Sequence, residues 1–333
     1  MNKIRFAINV VTVFVVLLAG SLIAQAQNSR SFIASFGSDA ADCTTPAAPA
    51  GGVGACRSIS GALAKTNAGG EIDAVDPAEY NPGAAVILIT KSITIDGSGA
   101  GSASVSSTAA GSSVLAASGT TATDVIMLRG LSVDGRGVTS SGIQVSGASI
   151  GKLHIENCVV TGAKQAGILF QASNSGAQLF VRDTVSRNNG FAGVGDGLAV
   201  NSGGANTLFV AISRSSFSGN VNNGVQAAAG SQVTLRDSST TGNGGSGINV
   251  EASAGTAQLL AETVVTSNNS FAGLSVGGLG FASTARISNL TVTNNNQGVI
   301  TSAGGTVVTF GNNRSAGNVS NNVAAILVSV AAF

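Results

Sequence analysis

The chain has 333 residues, a formal net charge of +1 and only 9% charged residues. That balance excludes the basic footprint of a nucleic-acid binder and the polybasic surface that seeks anionic membrane. Glycine is abundant at 46, proline scarce at 4 and hydrophobic residues reach 44%; collagen-like and proline-rich chains are thereby excluded, and there is apolar material enough for a packed core.

Residues 1–26 carry the pattern of a secretory signal. Lys3 and Arg5 form a positive start, Phe6 to Ala19 is largely apolar, and Ala24-Gln25-Ala26 is a small-x-small cleavage motif that predicts a mature start at Gln27. An uncleaved anchor is the competing reading, because Phe6 to Ala24 is nearly long enough to span a bilayer. Asn9, Thr12 and Ser21 within the run, and the cleavage motif after it, weigh toward removal. No cysteine lies near the motif to take a lipid. The expected location is periplasmic, cell-surface or extracellular, in a bacterial host. Export favours a disulfide between Cys43 and Cys56, which sit in a Gly/Ala/Pro-rich segment; two free thiols are the alternative. Closing so short a loop stabilises by about 3 kcal/mol. Cys158, among Ile155, Val159 and Val160, reads as a small buried hydrophobe.

Residues 27–85 form a leading segment. Ser31 to Phe36 alternates like a strand, Ala41 to Ala55 reads as loop, and Ser58 to Thr66 as a short amphipathic helix with Ser58 as N-cap and Gly69-Gly70 as its stop. Glu71 to Val75 alternates again and Asp76-Pro77 breaks it. Val86–Ile89 and Ser92–Ile95 follow as strands, closed by Asp96-Gly97.

The run Arg57-Ser58-Ile59-Ser60-Gly61-Ala62-Leu63-Ala64, then Gly70-Glu71-Ile72-Asp73-Ala74-Val75, then Tyr80, then Ile89-Thr90-Lys91-Ser92-Ile93-Thr94-Ile95-Asp96-Gly97 resembles the opening of pectin-lyase-like right-handed parallel β-helix proteins. In that superfamily a capping helix precedes the first coils. Glu71 stands where Asp is usual, and Pro77-Ala78-Glu79 where Pro-Gly-x is common. The resemblance implies an all-β solenoid over residues 86–333 with a short N-terminal capping helix. It does not imply one activity, since lyases, hydrolases, epimerases and inactive proteins share the fold.

Residues 98–124, rich in Ser, Gly and Ala, predict an irregular early coil with a loop. From Val125 a repeat is clear. Gly142-Ile143, Gly167-Ile168, Gly224-Val225, Gly247-Ile248, Gly273-Leu274 and Gly298-Val299 each open a strand, and others begin at Leu153, Leu179, Leu208, Val233, Leu259, Ala285 and Val308. Asn189, Asn220, Asn243, Asn269, Asn295 and Asn318 recur at steps of 31, 23, 26, 26 and 23 residues. Each lies eight residues after an apolar anchor: Val181, Ile212, Leu235, Ala261, Ile287 and Phe310. A period of this length marks a solenoid whose coils cannot bury their apolar faces alone. Stacked asparagines would bond amide to amide and tolerate left-handed turns. The position after the anchor pairs Glu156 with Arg182 and Arg236 with Glu262 in neighbouring coils, a predicted outward row of opposite charges.

Chemistry is thinly represented. Among 15 acidic residues there is no Asp-Asp pair, and Gly-His-Gly and Arg-Ile-Lys segments are absent. The single histidine, His154, lies on a strand between Leu153 and Ile155 and reads as a structural residue. The weak catalytic candidates are Asp183 and Asp237, at one coil position but two coils (about 10 Å) apart, and Asp196. Asp196 lies in the longest coil, where an insertion maps to a loop on one face. Asp134 and Arg136 around Gly135 are weaker still. Gly244 to Asn249 is one unrepeated copy of a calcium nonapeptide with Asn for Asp, and Gly97-x-Gly99 precedes no helix, so neither makes a site. Asn289 and Asn318 begin Asn-x-Ser/Thr sequons. With no Trp and one Tyr, stacking platforms for sugars look scarce, and Phe180, Phe191, Phe209, Phe217, Phe271, Phe281 and Phe310 are expected in core ladders.

These features predict an exported β-helix acting as a non-catalytic structural, adhesive or binding scaffold at the cell envelope. A carbohydrate or envelope surface is the expected partner, with no nucleic acid and no cofactor. The alternative is a polysaccharide lyase, hydrolase or epimerase acting on uronate polymers, and calcium enters only there. The apolar segment 323–333 is expected to fold back on the last coil or to mediate self-association.

Overall fold

The computed structural model describes residues 28–320 and 327–329, apart from 84, 192 and 279; the expected signal segment, 1–26, lies outside the described residues. The chain winds through about nine turns, laying one strand per turn on each of three sheets. Among the described residues the first sheet has twelve strands, the second ten and the third nine, so nine turns reach all three. One turn shows the order: Gln178–Arg182 in the first sheet, Val185–Arg187 in the second, Asp196–Val200 in the third, and Leu208–Ser213 back in the first. Neighbouring turns pair in parallel.

Alternation within each strand sets what faces inward. In the first sheet Leu153 and Ile155 stack on Leu179 and Val181, then Val210 and Ile212, Val233 and Leu235, Leu259 and Ala261, and Ala285 and Ile287. None is more than 3% exposed. Burying each large side chain contributes about 1.5–3 kcal/mol, a gain available only once a neighbouring turn is in place. The interior is narrow and holds few aromatic side chains; Phe170 and Phe217 are buried there.

The corners follow a second rule. Between the first and second sheets one residue per turn adopts positive φ: Asn157 (51°), Asp183 (50°), Arg214 (47°), Asp237 (48°), Thr263 (55°) and Asn289 (50°). A left-handed L-residue costs roughly 1–2 kcal/mol, so the stack imposes this turn even on Arg214 and Thr263. After the second sheet the positive-φ residue is the one before each ladder asparagine: Asn188, Gly219, Gly242, Asn268, Asn294 and Gly317. The ladder asparagines therefore do not supply the left-handed turn, contrary to the sequence reading; they supply the amide chain. Asn189 Nδ2 donates to Asn220 Oδ1 (3.0 Å), Asn220 to Asn243 (3.0 Å), Asn243 to Asn269 (2.9 Å), Asn269 to Asn295 (2.8 Å) and Asn295 to Asn318 (3.0 Å). Each Oδ1 also accepts the backbone N–H of the asparagine one turn back.

Several expectations are corrected. The helix is a single turn, Ile59–Leu63, with Ser58 accepting from the Gly61 N–H. It stops early because Thr66 Oγ1 donates to the Ala62 carbonyl (2.7 Å) and the chain enters a strand, Thr66–Ala74, that runs through Gly69-Gly70. Strands Asn28–Ile33, Thr66–Ala74 and Ala78–Glu79 already belong to the sheets ahead of residue 86. Residues 98–124 hold two regular strands, Ala103–Ser106 and Ser113–Ala117, because Ala103, Val105, Val114 and Leu115 are small enough to fill the inner face. In the last turn Thr309, not Phe310, aligns with Ile287, and Val307, not Val308, with Ala285. This one-residue slip turns Phe310 outward, to 39% exposure. Of segment 323–333 the described part, Leu327–Ser329, adds to the first sheet beside Val307–Thr309; the rest lies outside the described residues. Cys43 and Cys56 form a disulfide, with Cα atoms 4.9 Å apart, and Cys158 is buried with its thiol pushed up to about 12 by desolvation.

Candidate functional site

Outward residues of the first sheet form three columns. The middle one reads Met127, His154, Phe180, Ala211, Thr234, Leu260, Arg286. His154 stacks on Phe180, with ring centroids 4.6 Å apart and planes 12° from parallel. Burial holds the imidazole below its ordinary range, so it is uncharged at neutral pH and serves as an aromatic plate. Ala211 and Thr234 are small and stand between Phe180 and Leu260. The mismatch leaves a cleft of about 430 Å³. The adjoining column supplies one wall with Gln178, Phe209, Gln232 and Gln258, and Arg286 closes the end. Arg286 makes no ion pair among the described residues. Aromatic faces, three primary amides and a guanidinium are a donor-rich set suited to hydroxyls and a carboxylate.

Sequence reasoning missed this cleft because it assigned the phenylalanines to the core. Of the seven, Phe217 is buried, whereas Phe191, Phe209, Phe271, Phe281 and Phe310 are each at least 39% exposed. The signal was present: Phe180 sits between buried Leu179 and Val181, and Phe209 between buried Leu208 and Val210, so alternation places both outward.

The predicted acids fall in two places, and Asp183 and Asp237 line one open hollow with Arg214. Asp183 and Asp237 occupy the positive-φ corner between the first and second sheets. Asp183 accepts two bonds from Arg214 (2.7 and 2.9 Å) and one from Arg182 (3.1 Å), which hold its carboxyl down at about 2. A carboxylate so held is a poor base. Arg182 thus turns to Asp183 and not to Glu156 as predicted; Glu156 meets Arg129 at 3.4 Å. Arg236 and Glu262 do pair, at 3.0 Å. Asp134 accepts from the Arg136 N–H (2.8 Å) in a local turn.

Asp196 lies elsewhere, at the start of its third-sheet strand. Half of the extra residues of the long turn, measured against the next, come just before it: Leu198 is nine residues beyond Asn189, whereas its partner Val225 is five beyond Asn220. The excess forms a small hairpin in which Phe191 and Val194 pair, and Gly190 and Gly195 close the neck; a Cβ on Gly195 would lie 1.9 Å from the Gly190 Cα. Asp196 Oδ1 accepts from Asn222 Nδ2 (3.1 Å), the Asn223 N–H (3.0 Å) and Asn223 Nδ2 (3.0 Å). Burial outweighs those bonds and raises the carboxyl to about 6. A further acidic group, Glu71, Asp73 and Asp96, has carboxylate oxygens within 4.8 Å of one another, but Arg30 pairs with Asp73 and Arg129 with Asp96 (3.1 Å). Its signal in the sequence was outward alternation on two adjacent strands.

The three parallel sheets agree with what comparison finds. The family described as "Right handed beta helix region" matches residues 141–315. The chain belongs to the right-handed β-helix family. The β-helix is similar to the crystal structure of pectate lyase Pel9A, at 16% identity and a TM-score of 0.52, covering 90% of this chain and 79% of that one. The A-module of Azotobacter vinelandii mannuronan C-5 epimerase AlgE6 is also found, at 16% identity and a TM-score of 0.38, covering 80% of this chain and 92% of that one. At such identities the first likeness concerns the fold alone and the second carries no argument. No curated protein matches.

Proposed function

We propose that the protein is an exported, non-catalytic scaffold that binds an acid-bearing saccharide in the first-sheet cleft. The observation that carries this reading is the cleft itself. Phe180 and Phe209 offer ring faces, Gln178, Gln232 and Gln258 offer paired donors and acceptors, and Arg286 offers a guanidinium with no ion-pair partner among the described residues. Export is supported by the pattern of residues 1–26 and by the Cys43–Cys56 disulfide. The non-catalytic reading is supported by the placement of the acids: Asp183 and Asp237 lie at one corner, Asp196 at another, and Asp183 is committed to Arg214 and Arg182.

One observation favours a second reading, the lyase, hydrolase or epimerase. A carboxyl raised to about 6, as at Asp196, is poised for proton transfer near neutral pH. Calorimetry of the exported protein with galacturonate oligomers separates the two. Binding without turnover, weakened about tenfold by Phe209→Ala or by Arg286→Ala, supports the scaffold. Binding indifferent to both substitutions removes the cleft from the account. Turnover that vanishes in Asp196→Asn establishes the enzyme.

A further inference from the structure

The outer face of the third sheet carries a second hollow with different chemistry. Its central column runs Leu169, Ala199, Gln226, Asn249, Ser275, Ile300. The polar trio Gln226, Asn249 and Ser275 forms the floor of a groove of about 550 Å³. Glycines open its flanks. Gly245 stands beside Asn222, where a Cβ would meet Asn222 Oδ1 at 2.7 Å, and Gly277 pairs with Glu251 in the next strand. Phe271, 45% exposed, stands at one side as an aromatic wall.

The floor is ordered before anything binds. Asn223, 5% exposed, donates to Asp196 Oδ1 (3.0 Å) and Gln226 Oε1 (2.9 Å) and accepts from the Ser246 N–H (3.0 Å). With its carbonyl occupied by Asn223, Gln226 contributes its NH₂ to the groove as a donor. Asn249 Nδ2 donates to Glu251 Oε2 (3.1 Å), which leaves Asn249 Oδ1 and Glu251 Oε1 as acceptors. Among the described residues, Glu251 is the one charged side chain lining the groove, and no cation lines it.

We infer that this groove binds an amine-bearing saccharide, with Phe271 against a ring face and Glu251 receiving the ammonium. Three sets of observations select that class. Interleaved donors and acceptors match vicinal hydroxyls; the aromatic wall matches the apolar face of a pyranose; and the lone carboxylate attracts a cation and repels a uronate. Two turns separate Gln226 from Ser275, about 10 Å by strand spacing, room for two sugar rings. The site is on another sheet from the first cleft and does not depend on it. Both can be filled together, and their ligands carry opposite charge.

The test is calorimetric titration of the full exported protein with glucosamine tetramer, its N-acetylated counterpart and galacturonate tetramer. Glucosamine tetramer is expected to bind about tenfold more weakly to Phe271→Ala and about three- to fivefold more weakly to Glu251→Gln. The N-acetylated tetramer, lacking the ammonium, is expected to bind wild type and Glu251→Gln alike. Both residues are exposed, and circular dichroism verifies that each variant folds. The inference is overturned if glucosamine tetramer does not bind, if its affinity is unchanged in both variants, or if its binding is lost in Phe209→Ala, which would place it in the first-sheet cleft. The galacturonate arm reads the first cleft separately.

Discussion

Replacing Asn243 by Ala probes whether the amide ladder holds the turns in register. Asn243 is fully buried and central. Its Oδ1 accepts from the Asn220 N–H (3.1 Å) and Asn220 Nδ2 (3.0 Å), and its Nδ2 donates to Asn269 Oδ1 (2.9 Å) and the Phe217 carbonyl (3.1 Å). Truncation removes all four bonds. Asn269 Oδ1 keeps the Asn243 N–H (3.0 Å), and Asn220 Nδ2 keeps the Ser186 carbonyl (3.3 Å), but the Asn220 N–H loses its acceptor. A stranded buried donor costs about 1–3 kcal/mol, and the void and the weakened second donor bring the expected loss to about 3–4 kcal/mol. Asn318→Ala, at the last rung and 8% exposed, should cost only about 1 kcal/mol, because water can replace the lost carbonyl there. In a solenoid such losses act locally, so the assay is native-state hydrogen exchange with urea denaturation alongside. The Asn220 amide and strands Ser216–Ser218 and Ser239–Thr241 should lose protection first. Equal protection in Asn243→Ala and wild type, or equal costs for Asn243→Ala and Asn318→Ala, would refute the ladder as the source of register.

Two further predictions concern the acids. Arg214→Ala should let the Asp183 carboxyl rise from about 2 toward its ordinary 3.8, followed by NMR titration; an unmoved titration would show that Arg214 is not the cause. Asp196 has the opposite sign: its folded carboxyl sits at about 6, above the unfolded value, so the fold penalises the charged form and this contribution to stability rises as pH falls from above 6 toward 3.8. Asp196→Asn keeps an acceptor oxygen for Asn222 and Asn223 and should exceed wild type by up to about 3 kcal/mol near pH 8, converging near pH 4; a stability difference constant across that range rules this out.

The architecture was legible because each inner column is constrained by burial. Val181, Ile212, Leu235, Ala261 and Ile287 stack as read, and their spacing to the asparagines carried the period. It failed at the final turn, where Phe310 looked like the anchor but an extra residue before Asn318 puts Thr309 in line. The phenylalanines were misjudged for a related reason. Hydrophobicity alone sends them inward, but the three-sided interior is filled by Ile, Val, Leu and Ala columns, and strand alternation had already assigned Phe180 and Phe209 to the outside. The outward rings were legible in that alternation, but the hollow beside them was not. It exists because Phe180, Ala211, Thr234 and Leu260, each separated by a whole turn, differ in size while sharing a column.

That origin of the cleft bears on where function can reside in such a chain. Inner columns answer to packing, and the corners answer to left-handed turns and the amide ladder, where Asp183 and the asparagines are already committed. Outer columns answer to neither, so a hollow forms wherever small residues stack between large ones. It happens over Ala211 and Thr234 on the first sheet, and on the third Ser275, between Asn249 and Ile300, lies at the floor of the other groove. The charge at each hollow then comes from a single residue free of the fold's demands, Arg286 in one and Glu251 in the other. Exchanging either would change the charge of its hollow while leaving the inner columns, and hence the register, intact.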